Sequence, residues 1–347
     1  MSGWSAQDAR EFREGVGELR QRHGLPALAS ELAEDSIIRR LSGEYREGWR
    51  LALEVRAKVL QLGANPNLNI EYERAGSIAL FNLLFLGEWG EALKELAAAI
   101  AQAQKNANRH YTVALRVHEA WLHLHAMDFK GVLAVCDSIL PQPRDPARRT
   151  ALGLPLVLPG PLRSALICSG SASVALGDYA RAHQDLSTAA SDMDRQTVLL
   201  DWYWRMPLAA GLTELWLAKG DRVRARLEAE RFLDLSLATA GRTWHGLAWE
   251  TSARVALADQ DLARARDCIA KAVSTIEGFE VPLATWRVHA TAAHIEAQSG
   301  HSESVRAHQE ISRATILRLA NSLPEDEPLR GIFLSAAPVA RVLHRDS

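Results

Sequence analysis

One small residue returns about every forty positions of this 347-residue chain, always five places after a turn-like position. Gly48, Ala92, Val132, Ala182, Ala225, Ala265 and Val305 follow Gly43, Gly87, Met127, Gly177, Gly220, Gln260 and Gly300 in that order. The residue after each turn is Glu44, Glu88, Asp128, Asp178, Asp221, Asp261 or His301, so six of seven copies are acidic. Self-similarity at such a period means stacked units rather than one folded-back core, because each unit buries its apolar face on its neighbours. About seven units are predicted, and any function should lie on the surfaces of the stack.

Each unit reads as two helices joined at the turn. In the fourth, Pro161 to Leu176 forms the first helix and Tyr179 to Ala190 the second, with Gly177-Asp178 between them. Glycine reaches the left-handed backbone that ends a helix, and aspartate caps the orphan amides of the next. Gly170 and Ala182 let the two helices approach closely, while Leu166, Leu176, Tyr179, Leu186 and Ala189 supply bulk around the contact.

The segment SALICSGSASVALGDYARAHQDLSTAA resembles a tetratricopeptide repeat: Gly170 matches the small residue of the first helix, Gly177-Asp178-Tyr179 the turn, and Ala182 and Ala189 the alanines of the second helix. Tyr45, Trp89, Phe129 and Tyr179 carry an aromatic after the acidic slot, whereas Arg222, Leu262 and Ser302 do not, so the pattern weakens toward the C-terminus. Turn spacings of 44, 40, 50, 43, 40 and 40 exceed the usual period of about 34, which lengthens both helices. Such long repeats are similar to the C-terminal sensor arrays of bacterial signal-transduction ATPases, transcriptional regulators and nucleotide cyclases. The likeness spans roughly residues 30 to 343. It implies an all-α solenoid and a sensor without its motor, since the chain has no GxxxxGK[ST] phosphate loop and no cyclase domain.

The whole chain, 1–347, is read as a single superhelix. Residues 1–24 are expected to form an N-terminal capping helix and 329–343 a C-terminal one, whose apolar residues could instead cover another chain. Residues 141–161 hold six of the thirteen prolines and read as an inter-repeat loop, either a lid or a connector. Lys plus Arg number 40 against 42 Asp plus Glu, so no field favours nucleic acid or anionic lipid. The N-terminus has mixed charge and no apolar run reaches a membrane-spanning length, which predicts a soluble cytoplasmic protein. Cys136, Cys168 and Cys268 stand far apart in apolar helical contexts, as reduced buried thiols do.

Catalytic and metal chemistry is sought and not found. His118 and His123 are five apart, which turns them about 140° from one another on a helix, and His289 and His294 repeat that spacing. No serine sits in a GxSxG elbow and no cysteine has a redox partner nearby. No catalytic residue, metal or cofactor is assigned.

What remains is the concave surface. In repeats of this type the first helix of each pair lines the groove, at positions thirteen, ten, six and three before the turn. Counting back selects Arg74, Phe81, Trp121, Glu214, Glu250, Arg254, Arg287 and His294, and one further turn of helix adds Tyr203. Aromatic and Arg side chains are the usual anchors of an interface. The leading expectation is a non-enzymatic scaffold or sensor that binds a protein or peptide in this groove. An enzyme or small-molecule sensor with a pocket beneath the Pro-rich loop, and self-assembly through the C-terminal helix, are the alternatives.

Overall fold

The protein is described by a computed structural model covering residues 29–61, 66–140, 160–198, 200–298 and 300–344, and among these residues it has sixteen helices and no strand. Seven antiparallel pairs follow one another: α1 (Ala29–Leu41) with α2 (Tyr45–Gln61), α3 (Pro66–Leu86) with α4 (Trp89–Lys105), and α5 (Arg109–His125) with α6 (Phe129–Ile139). The next are α7 (Gly160–Ala175) with α8 (Tyr179–Arg195), α9 (Asp201–Ala218) with α10 (Arg222–Leu237), α11 (Arg242–Ala258) with α12 (Leu262–Ile276), and α13 (Pro282–Gln298) with α14 (Ser302–Asn321). Two short helices, α15 (Pro328–Ser335) and α16 (Ala337–Leu343), close the chain. This is a tetratricopeptide-like α-solenoid. The expected N-terminal capping helix lies outside the described residues, as does the Pro-rich loop up to residue 159; Gly160 already begins α7.

Each of the seven turn positions has a left-handed backbone, with φ between 61° and 81°. Five are glycine, which enters that region freely; Met127 and Gln260 enter it at a cost of about 1–2 kcal/mol each. Asp178 N–H then donates to Ser173 O at 2.9 Å and Gly177 N–H to Val174 O at 3.1 Å, the pair of bonds that satisfies the last carbonyls of α7. Asp128, Asp178, Asp221 and Asp261 accept from the backbone N–H three residues on, at 2.9–3.1 Å. Glu88 and His301, in the same slot, make no such cap.

Five places past the turn, Ala92, Val132, Ala182, Ala225 and Ala265 are completely buried. At the α7–α8 contact a Cβ on Gly170 would sit 2.6 Å from Leu186 Cγ and 3.3 Å from Ala182 O. Gly170→Ala is therefore expected to destabilise by about 1–3 kcal/mol through overpacking, read as a lower urea midpoint with unchanged helical signal. An unchanged midpoint would show that the two helices are not held this close.

The stack winds tightly enough for its two ends to meet. Tyr45 Oη–H donates to Thr243 Oγ1 at 2.9 Å, and Gly90 N–H donates to Ser322 O at 3.1 Å, across 198 and 232 residues of sequence. Gly87, besides its φ of 79°, leaves a space that a Cβ could not enter, 2.3 Å from Leu319 Cδ2. Outside this seam, Arg46 and Arg318 share Glu280, at 2.7 and 2.6 Å. The Phe333 ring of α15 stands edge-on to Trp89 at 5.0 Å, so the C-terminal segment caps this seam.

The C-terminal segment is not one helix over 329–343. It breaks at Ala336, which is extended (φ −60°, ψ 131°), and restarts as α16. Pro338 explains the break, because a continuous helix there would lack one N–H and clash with the carbonyl four residues earlier. Arg313 Nη1 donates to Leu343 O at 3.0 Å and holds α16 on α14.

Candidate functional site: a charged cavity inside the coil

The inner positions of the N-terminal half do not line an open groove. Phe81 is 1% exposed and Tyr203 3%, and they meet edge-on at 5.9 Å. Phe81 stacks on Phe85 at 4.6 Å, Trp121 on Trp204 at 5.8 Å, and Trp244 stands against both Tyr203 and Phe85. Such rings bury roughly 150–250 Å² each, and once the coil closes, their burial outweighs any open trough. Arg40 completes the plug with its guanidinium 4.3 Å from the centre of Phe81, and burial lowers its pKa.

Beyond this plug a cavity of about 720 Å³ remains. The first helices of six consecutive units border it, from Phe85 of α3 to His294 of α13, and Pro338, Arg341 and Val342 of α16 close one side. Trp121, Phe232, Trp244 and Trp286 supply an aromatic wall. Glu214, Glu250, Arg254, Arg287 and Thr291 supply a polar one.

The polar wall is a connected set. Arg254 donates both terminal nitrogens to the Glu214 carboxylate, and its Nε lies 2.9 Å from Glu250 Oε1. The same Glu250 oxygen accepts from Thr291 Oγ1 at 2.7 Å. Burial pushes the Glu250 carboxyl up to about 7, against the opposing pull of the Thr291 hydroxyl and the Arg287 guanidinium. Arg254 at 2.9 Å adds to that pull, as an opposite charge in contact must. Burial, together with like-charge repulsion from Arg287, draws Arg254 down to about 10. His125, buried at the aromatic side and next to the field of Arg287, is held down to about 3 and is neutral; its Nε2 has no hydrogen-bond partner among the described residues.

Of the nine groove residues expected from register, Trp121, Glu214, Glu250, Arg254, Arg287 and His294 border the cavity. Phe81 and Tyr203 belong to the plug instead, and half-buried Arg74 lies away from the cavity. Trp121 is itself only 3% exposed and donates Nε1–H to Ser164 Oγ at 2.8 Å, so it is as much a packing residue as a contact surface. Register counting missed Trp244, Trp286 and Thr291, which flank the counted positions on the same helices, and the whole contribution of α16. His118 and His123 point to separate partners, Ser77 Oγ and Asp128 Oδ2, both at 2.8 Å. Among the described residues no group of three or more His, Cys, Asp or Glu could hold a metal ion, and no helix is long and apolar enough to cross a membrane.

No family model matches the chain. No curated protein matches it either. Among solved structures it is similar to a tetratricopeptide repeat protein from Parabacteroides merdae at 14% identity, over 88% of this chain and 97% of that one, with a TM-score of 0.43. The fold class stands on the seven helix pairs and their turns.

Proposed function

We propose that this protein is a non-enzymatic binding module, a sensor or scaffold of bacterial signalling, whose recognition element is the central cavity. The observation that carries the reading is the convergence of six units and the C-terminal helix on one half-open cavity of about 720 Å³ lined by both aromatic and charged side chains. That volume falls within the range of about 300–1,000 Å³ typical of sites for compact ligands. An extended peptide would need a continuous trough, and the Phe81–Tyr203 contact fills the place where it would run. A compact ligand, or at most the end of a peptide, therefore fits best, and protein partners would meet the outer faces. The signalling setting and a cytoplasmic location rest on the resemblance of the long repeats to bacterial sensor arrays.

Catalysis is a second reading with one observation in its favour: a carboxyl raised to about 7 inside a cavity is suited to proton transfer near neutral pH. Turnover of a bound molecule that disappears in Glu250→Gln while binding persists would establish it.

Thermal-shift screening of metabolites and short peptides against the wild type and Ala290→Trp tests the main reading. Ala290 borders the cavity, and an indole there fills part of it. Compounds that raise the wild-type melting temperature are expected to leave that of the variant unmoved. Stabilisers that act equally on both proteins would place the binding surface elsewhere on the solenoid.

A further inference from the structure

Within that cavity, and resting on the binding role just proposed, we propose that the ligand is a small apolar or aromatic molecule with one anionic group, and that Arg287 is the residue that receives the anion. The charged wall contains one cation that neither of its carboxylates contacts, although Glu250 lies within its field. Arg254 is committed to Glu214 and Glu250, and Glu250 also accepts from Thr291. Arg287, whose guanidinium lies 5.3 Å from the centre of the neighbouring Trp286 ring, makes neither an ion pair nor a hydrogen bond among the described residues, although its field is felt by Glu250, Arg254 and His125. A second guanidinium borders the cavity: that of Arg341 in α16, whose Nε donates to the Ala337 carbonyl at 3.2 Å.

Three arginines thus face two carboxylates, and one of those carboxylates is itself raised toward neutrality by burial. A partly buried guanidinium with no ion pair or hydrogen bond is costly, and its repulsion with Arg254 adds to the cost. An incoming carboxylate, sulfonate or phosphate would offset both through charge-assisted bonds in a planar fork. The remainder of the molecule would lie against Trp121, Trp244 and Trp286 where they border the cavity. A cationic ligand would instead have to compete with Arg254 for Glu214 and Glu250.

The test compares two dyes that share one ring system. 1-Anilinonaphthalene-8-sulfonate carries an anion, and N-phenyl-1-naphthylamine is its neutral counterpart. Both are expected to bind one per chain and quench tryptophan emission, and Ala290→Trp should block both. Arg287→Met should weaken the sulfonate by about tenfold or more, as loss of a charge-assisted bond does, and leave the neutral dye within about twofold. Arg287→Lys should recover part of the loss. Without ligand, Arg287→Met should melt close to the wild type, because only a ring contact with Trp286 and the field on Glu250 are lost, with no ion pair or hydrogen bond. Equal loss of both dyes, no loss of either, or a large fall in the melting temperature of Arg287→Met would overturn the assignment of the anion to Arg287. Wild-type protein that binds neither dye would overturn the ligand class. Dyes that bind but ignore Ala290→Trp would overturn the cavity itself as the binding site. Displacement of the sulfonate by a tryptophan-terminated peptide and not by indole-3-acetate would overturn the small-molecule class in favour of a peptide end.

Discussion

Arg163→Met is expected to cost about 3–5 kcal/mol of stability, seen as a large fall in the urea midpoint. Arg163 is completely buried at the start of the fourth unit, yet it carries a full charge into the core. Its Nε donates to Asp192 Oδ2 at 2.8 Å, Nη1 donates to Asp201 Oδ2, and Nη2 donates to the carbonyls of Asp192 and Gln196 at 3.1 and 2.9 Å. Asp201 is also wholly buried, and no other cation among the described residues reaches it. The guanidinium therefore ties α7 to the end of α8 and to the start of α9 through one side chain. Methionine preserves the stem and removes the charge, so the wholly buried Asp201 remains in the core without its cation and Asp192 loses its bond to the guanidinium. That residual burial, rather than the loss of the bonds alone, makes the effect large. The triple variant Arg163→Met/Asp192→Asn/Asp201→Asn should recover a substantial part, because no unpaired charge is left. Arg226→Met provides the scale: its bond to Asp259, at 2.7 Å, lies at the surface, where an ion pair contributes little. A midpoint shift for Arg163→Met no larger than that of Arg226→Met would show that the buried triad is not formed in solution.

The repeat turns were legible in the sequence because a left-handed φ and a close helix approach each demand particular residue types. Gly177 and Asp178 are examples: one relieves the backbone at φ 79°, the other supplies the cap at 3.1 Å, and both requirements are local. Inner positions were legible for a related reason, since helical register alone brings Glu214, Glu250, Arg254, Arg287 and His294 to the cavity. Whether an inner residue is exposed was not legible. Phe81 and Tyr203 are buried by the pitch of the coil, which is set by contacts such as Tyr45 with Thr243, nearly two hundred residues apart. No pattern of one unit encodes that pitch. Arg163 carries no sequence signal of its role, since an arginine in a helix usually marks a solvated face and its two aspartates lie 29 and 38 positions further on. The division of the C-terminal helix could have been read from Pro338, whose missing N–H forbids the continuous helix.

Acid should weaken this fold well above the pH at which carboxylates usually protonate. Burial, reinforced by Arg40, holds His118 down to about 3, and burial reinforced by Arg287 does the same for His125. Burial together with the neighbouring His308 places His289 at about 4. An imidazole kept neutral in the fold but free to ionise near 6.5 in the unfolded chain binds fewer protons when folded. Stability present above pH 6.5 is therefore lost as the pH falls toward those lower values. Between pH 6.5 and 5 each of the three should remove about 2 kcal/mol. Glu250 works in the opposite direction: its folded value near 7 lies above the unfolded one, so protonation relieves a buried charge and returns about 2 kcal/mol over the same interval. The net loss of about 4 kcal/mol is a large share of the roughly 5–15 kcal/mol that a folded chain has in reserve. His125→Phe isolates one contribution. Its ring already lies among Phe85 and Trp121, and its Nε2 has no partner among the described residues to lose. Urea midpoints at pH 7.5 should be similar for the wild type and this variant, whereas at pH 5 the variant should be the more stable by about 2 kcal/mol. Parallel declines in the two proteins would mean that His125 reaches water in solution, and the cavity wall it helps to form would then be open on that side.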